Sequence, residues 1–202
     1  MIKTFSIVVL LITLFNFGSF AEEIQAFNFT KEEFDNLTVR KIKKKTKYTL
    51  GSNENGNFLK AEAEGQASGL GKEILIDLNK TPFLNITWKV EKDLSGIDEK
   101  SKKGHDYAAR VFVIKKTGST ALSNRVINYV FSSNEEIGQY WRSPFTKKSI
   151  DYVLATTKTN YNEWVTVKTN VKEDFKKLHD LDVNELNGVA IMTDTDNSKI
   201  KS

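Results

Sequence analysis

The stretch "GHDYAARVFVIKK", Gly104 to Lys116, sets a histidine, an aspartate and an arginine at the front of a run with the apolar content of a buried strand. In extended backbone side chains alternate between faces, so Asp106, Ala108, Arg110, Phe112 and Ile114 share one face while Tyr107, Ala109, Val111 and Val113 share the other. Four strand residues span roughly 13 Å at ~3.3 Å each, too far for Asp106 and Arg110 to pair directly. A guanidinium in an apolar run is costly unless paired. Arg110 is therefore expected to reach a protein carboxylate or carbonyl on a neighbouring strand, or a ligand. The first expectation is an ion pair that locks the sheet, with Asp106 nearer solvent. His105 has no metal-ligand spacing to His179, the other histidine, and reads as incidental.

Two further polar stretches have chemical content. "MTDTDNS", Met192 to Ser198, gathers hard oxygens on Asp194, Asp196 and Asn197, a set that suits calcium. The glycine and distal glutamate of a calcium-binding helix-loop-helix are missing, and a loop closed by Asx turns fits the same residues. "GQYWRSPF", Gly138 to Phe145, places Tyr140, Trp141 and Arg142 together. Exposed aromatic rings beside arginine make a platform for sugars or aromatic partners, and a plug at the end of a core would read identically. No nucleophile elbow, phosphate loop or paired-histidine motif occurs, and the carboxylates are too dispersed to assign a glycosidase pair. No catalytic residue is assigned.

The elements that must position these residues are mostly strands. In "FLNITWKV", Leu84, Ile86, Trp88 and Val90 oppose Asn85, Thr87 and Lys89, the period of a half-buried strand. "NFLKAEAE", "KEILIDL" and "EWVTVKT" alternate in the same way, the last with Val165 and Val167 inward and Trp164 outward. "YAARVFVIKK", "NRVINYVFSS" and "DYVLATTK" are apolar on both faces, which places them centrally and covered on both sides. No strand is regularly followed by a long amphipathic helix, which argues against a parallel α/β sheet and for two packed antiparallel sheets. "TKEEFDNL" carries a capping-box spacing from Thr30 to Glu33, and "NVKEDFKKLHDL" spaces Val171, Phe175, Leu178 and Leu181 for one short amphipathic helix. The densest basic run, "VRKIKKKTKY", reads as a solvated edge strand whose lysines block edge-to-edge pairing.

At the amino end, Lys3 precedes an apolar run closed by Ser19 and Ala21, the make-up of a secretory signal peptide cleaved after Ala21. The expected organisation is a signal peptide, 1–21, and one domain, 22–202, with no transmembrane segment in the mature chain and a periplasmic or secreted address. The sequence contains no cysteine, which excludes disulfides and thiolate mechanisms. A net charge of +4 falls short of the domain-wide basic stripe that nucleic acid binding requires, so no nucleic acid partner is expected.

The blocks "ASGLGKEILIDLNKTPFLNITWKV", "KKGHDYAARVFVI", "NRVINYVFS", "EWVTVKTNVKEDF" and "GVAIMTDTDNS" follow one another in an order that resembles the bacterial family named domain of unknown function 3047, from about Phe27 to Ser198. The resemblance implies an exported protein without an assigned activity, with a sheet-rich pattern similar to jelly-roll carbohydrate-binding modules. Two departures stand out: the family has two acidic residues where this chain has His105 and Asp106, and it continues past "DTDN" into a last strand. The resemblance therefore implies a domain lacking its final strand and leaving a sheet edge open to a partner.

These observations converge on an all-β, antiparallel β-sandwich of jelly-roll type with one or two short helices. The expected function is a non-catalytic binding module for glycans or cell-envelope polymers, with Asp106, Arg110, Trp141 and Arg142 as contacts. The alternative is a polymer-degrading hydrolase or lyase with Asp106 as acid or base and Arg110 positioning an anionic group. No cofactor is expected, apart from calcium if Asp194, Asp196 and Asn197 act as ligands.

Overall fold

The alternating segments fold as strands, and in a computed structural model that describes residues 23–120 and 123–198 they account for most of the regular structure. The expected signal peptide lies outside the described residues. In chain order the elements are α1 (Lys31–Asn36), β1 (Thr38–Lys43), β2 (Lys47–Asn53), β3 (Gly56–Glu62), β4 (Ala67–Asp77), β5 (Phe83–Trp88), β6 (Tyr107–Lys115), β7 (Arg125–Ser132), β8 (Tyr140–Arg142), β9 (Ser149–Thr156), β10 (Val165–Asn170), α2 (Val171–His179) and β11 (Glu185–Asp194).

Seven strands form one sheet in the order β1-β4-β11-β6-β7-β9-β8, while β5 with β10 and β2 with β3 form two-stranded ribbons. The fold is mostly β and sandwich-like. It departs from the antiparallel expectation at one pairing, because β7 and β9 run parallel. After β7 the chain passes to the sheet edge as β8, which pairs antiparallel with β9, and β9 then returns between β8 and β7. Both β7 and β9 therefore start at the same end of the sheet, where Val126 lies opposite Ser149.

One face of the sheet carries the main core. Ile127, Tyr129 and Phe131 of β7 pack with Ile86 and Trp88 of β5 and with Phe175 of α2. Burying each such side chain contributes about 1.5–3 kcal/mol. Helix α2 begins where the Asn170 side chain accepts from the Glu173 N–H, and it stops at Asp180, which adopts left-handed backbone with φ 51°. Its buried Val171, Asp174, Phe175 and Leu178 form one stripe. Within that stripe the Asp174 carboxylate accepts from Tyr129 Oη at 2.8 Å and Thr169 Oγ1 at 2.6 Å, so the buried charge is met by donors.

The opposite face is covered near β7 and β9 by Tyr107, Val130, Val153 and Trp141. The segment between β5 and β6 lies over it, anchored by Glu99, which accepts from Ser132 Oγ at 2.6 Å, Ser133 N at 2.8 Å and Asn134 Nδ2 at 2.9 Å. Burial raises the Glu99 pKa against these hydrogen bonds. Strands β6, β7 and β9 thus have the two-sided cover their composition predicts. At the far edge β1 is exposed along its whole length, as the basic run requires. Helix α1 starts on Thr30, whose side chain accepts from the Glu33 N–H as the capping pattern predicts.

Candidate functional site

Asp106 and Arg110 start on the same strand and find different partners. Arg110 is buried and pairs with Asp194 on β11, while its guanidinium lies over the Tyr107 and Phe112 rings at 5.1 and 5.4 Å. This is the internal ion pair expected for it. The prediction that Asp106 lies nearer solvent is corrected: it is fully buried, and its carboxylate accepts from the Asn197 N–H at 3.2 Å, the Asn197 amide at 2.9 Å and the Ser198 N–H. Hydrogen-bonding donors make burial of that charge affordable. Its role is to fasten the turn after β11 to the start of β6.

His105 is not incidental. It is buried, its Nε2 lies 2.8 Å from Asp151 Oδ2, and Asn128 Nδ2 donates to the other Asp151 oxygen at 2.7 Å. Its ring meets Tyr107 and Phe145 edge-on. No sequence spacing announces this pair, because Asp151 is brought to His105 only by the register of β9 beside β7.

The fold sets the "MTDTDNS" residues against Asp106 at the start of β6. Oxygens of Asp194 and Asp196 converge with those of Asp106 to within 4.8 Å of one another. Asn197 serves as a donor to Asp106. Burial pushes the Asp194 carboxyl up to about 7 against the pull of the Arg110 charge.

The aromatic stretch is split between the two faces of the sheet. Strand alternation sends Trp141 to one face and Tyr140 and Arg142 to the other. Trp141 packs against Tyr107, Val130 and Val153 beneath Lys100, whose Nζ lies 5.2 Å from its ring. It is a core plug. Two rings of the stretch are exposed, Tyr140 on β8 at 50% and Phe145 in the turn that follows.

Arg142 belongs to a different place, a cleft of about 650 Å3 lined by Arg125, Arg142, Lys147, Lys148 and His179. The parallel β7–β9 pair explains the gathering. Arg125 opens β7, Arg142 closes β8, Lys147 and Lys148 lie in the turn before β9, and His179 ends α2. Arg142 Nη1 donates to the Lys147 carbonyl at 2.9 Å and Arg125 Nη1 to the Ser123 carbonyl at 3.1 Å, so both guanidiniums are oriented and keep further donors. Among the described residues no carboxylate pairs with Arg125, Arg142 or Lys147. His179 Nε2 lies 3.0 Å from the Val126 carbonyl, which can only accept, so that nitrogen carries the proton. Burial lowers the His179 pKa; the hydrogen bond to Val126 opposes this, and the Arg125 and Arg142 charges lower it further. Next to the cleft, Lys177 Nζ lies 5.3 Å from the Tyr140 ring and 5.0 Å from the Tyr152 ring.

A family model described as protein of unknown function (DUF3047) matches residues 32–202. The chain belongs to this family. Within this DUF3047 chain the match runs from α1 through every strand, so it takes in both the buried cluster and the basic cleft. No curated protein matches the chain. Among the described residues, no helix is long and apolar enough to cross a membrane.

Of the residues lining the cleft, the sequence singles out Arg142 alone. The lining residues are spread from position 125 to position 179, and only "KK" at Lys147 and Lys148 is a local signal.

Proposed function

We propose that this DUF3047 protein is an exported, non-catalytic binding module that holds an anionic cell-envelope polymer in the basic cleft. The observation that carries this reading is the cleft itself: Arg125, Arg142, Lys147, Lys148 and His179 line one concavity, and no carboxylate pairs with the two arginines or Lys147 among the described residues. Like charges gathered in one cleft repel one another, and a polyanion relieves that repulsion at several points together. A guanidinium contributes bidentate geometry as well as charge. Binding is favoured over turnover because the groups that an enzyme reading would use, Asp106 and Arg110, are buried and committed to partners within the chain.

The test is titration calorimetry with a soluble anionic polysaccharide, comparing the parent with Arg142→Ala. Loss of a charge-assisted hydrogen bond costs about 1.5–3 kcal/mol, so the variant is expected to bind roughly 10- to 100-fold more weakly. Parent affinity is expected to fall with added salt, as exposed charges are screened beyond about 10 Å at 0.1 M. Equal affinity of parent and variant would falsify the cleft assignment. Export has its own check: the mature protein recovered outside the cytoplasm is expected to begin at Glu22 by mass spectrometry.

A further inference from the structure

The cleft does not end in charge. Tyr140 and Arg142 lie two residues apart on β8 and face the same side, about 6.6 Å along the strand at ~3.3 Å per residue. Tyr140 is 50% exposed although it belongs to a strand, and its ring is held edge-on to Tyr152 with centroids 6.2 Å apart. Lys177 places its ammonium against both rings. A fixed aromatic ring beside oriented cations provides two different kinds of contact.

We infer that Tyr140 is a sugar-stacking subsite adjoining the basic cleft, so that the ligand class is an acidic polysaccharide, with acid groups borne on pyranose rings, and not a bare polyphosphate. This inference rests on the cleft reading above and names its ligand. A pyranose ring presents axial C–H groups that pack on an aromatic face, while its carboxylate reaches Arg142 and Arg125 on the same side. Polyphosphate has no apolar face and uses the cations alone. The Lys177 ammonium, exposed and close to both tyrosines, can meet the acid group of the next sugar along the chain.

The discriminating experiment measures the affinity of two probes, an oligogalacturonate and a linear polyphosphate of matched charge, for the parent, Tyr140→Ala, Tyr140→Phe and Arg142→Ala. Tyr140→Ala is expected to weaken oligogalacturonate binding about two- to tenfold and to leave polyphosphate binding unchanged, because only the sugar stacks on the ring. Tyr140→Phe is expected to retain the oligogalacturonate affinity, which separates the ring from its hydroxyl. Arg142→Ala is expected to weaken both probes. Equal effects of Tyr140→Ala on the two probes, or none on either, would overturn the sugar assignment while leaving the cleft intact. A parent that binds polyphosphate alone would do the same. A parent that binds neither probe would remove the cleft reading itself. Tyr140 is half exposed on an edge strand, so unchanged thermal midpoints are expected for its variants and serve as the control for folding.

Discussion

His179 closes the cleft with its Nε2 proton committed to the Val126 carbonyl and its ring stacked on Phe175. Its folded-state pKa is lowered, so between that value and the ordinary 6.5 the unfolded chain binds more protons than the folded one. This group's contribution to stability is therefore complete above pH 6.5 and is lost as the pH falls through that window. The other residues lining the cleft, Arg125, Arg142, Lys147 and Lys148, are cationic. A bound polyanion offsets them and raises the His179 pKa, so binding takes up a proton and, by reciprocity, tightens as the pH falls. NMR titration of the imidazole with and without the polymer checks this; a pKa that moves downward on binding would contradict it. Arg110 was legible at this scale because a guanidinium in an apolar run requires a partner. Its identity as Asp194 was not, since a carboxylate 84 residues away has no signature beside the arginine.

Elements set which residues can meet. The segment between β5 and β6 closes on itself at Gly104, where an added Cβ would lie 2.4 Å from the Asp98 carbonyl oxygen. That contact is with backbone and cannot be relieved by a rotamer change. Gly104→Ala is expected to destabilise the fold by about 1–3 kcal/mol, read as a lower urea midpoint with unchanged slope. A midpoint equal to that of the parent would show that the segment can reposition freely. The Thr30 cap of α1, helix α2 and the alternating strands β3, β4, β5 and β10 were legible because period and capping are local properties. The run from β7 through β8 to β9 was not. Its residues specify strands, but the order in which those strands pair depends on the path of the chain over the sheet edge.

Across the whole molecule the net charge of +4 is modest, and its distribution matters more than its size. Basic residues coat the exposed β1 edge, where they discourage sheet-to-sheet association, and gather in the cleft at the opposite margin beside β8 and β9. Between these margins the interior strands bury apolar side chains on both faces, together with the Asp106, Arg110, His105 and Asp151 contacts. The sequence by itself determined the all-β class, the two short helices, the solvated basic edge and the need of Arg110 for a partner. Each follows from side-chain periodicity or desolvation cost within a few residues. Tertiary structure alone decided that Trp141 packs against Tyr107, Val130 and Val153 while Arg142 lines a cleft, that His105 pairs with Asp151, and that Arg125, Arg142, Lys147, Lys148 and His179 share one concavity. The physical reason is that sheet hydrogen bonds and the apolar core fix the register of distant strands, and that register brings the cations together despite their mutual repulsion.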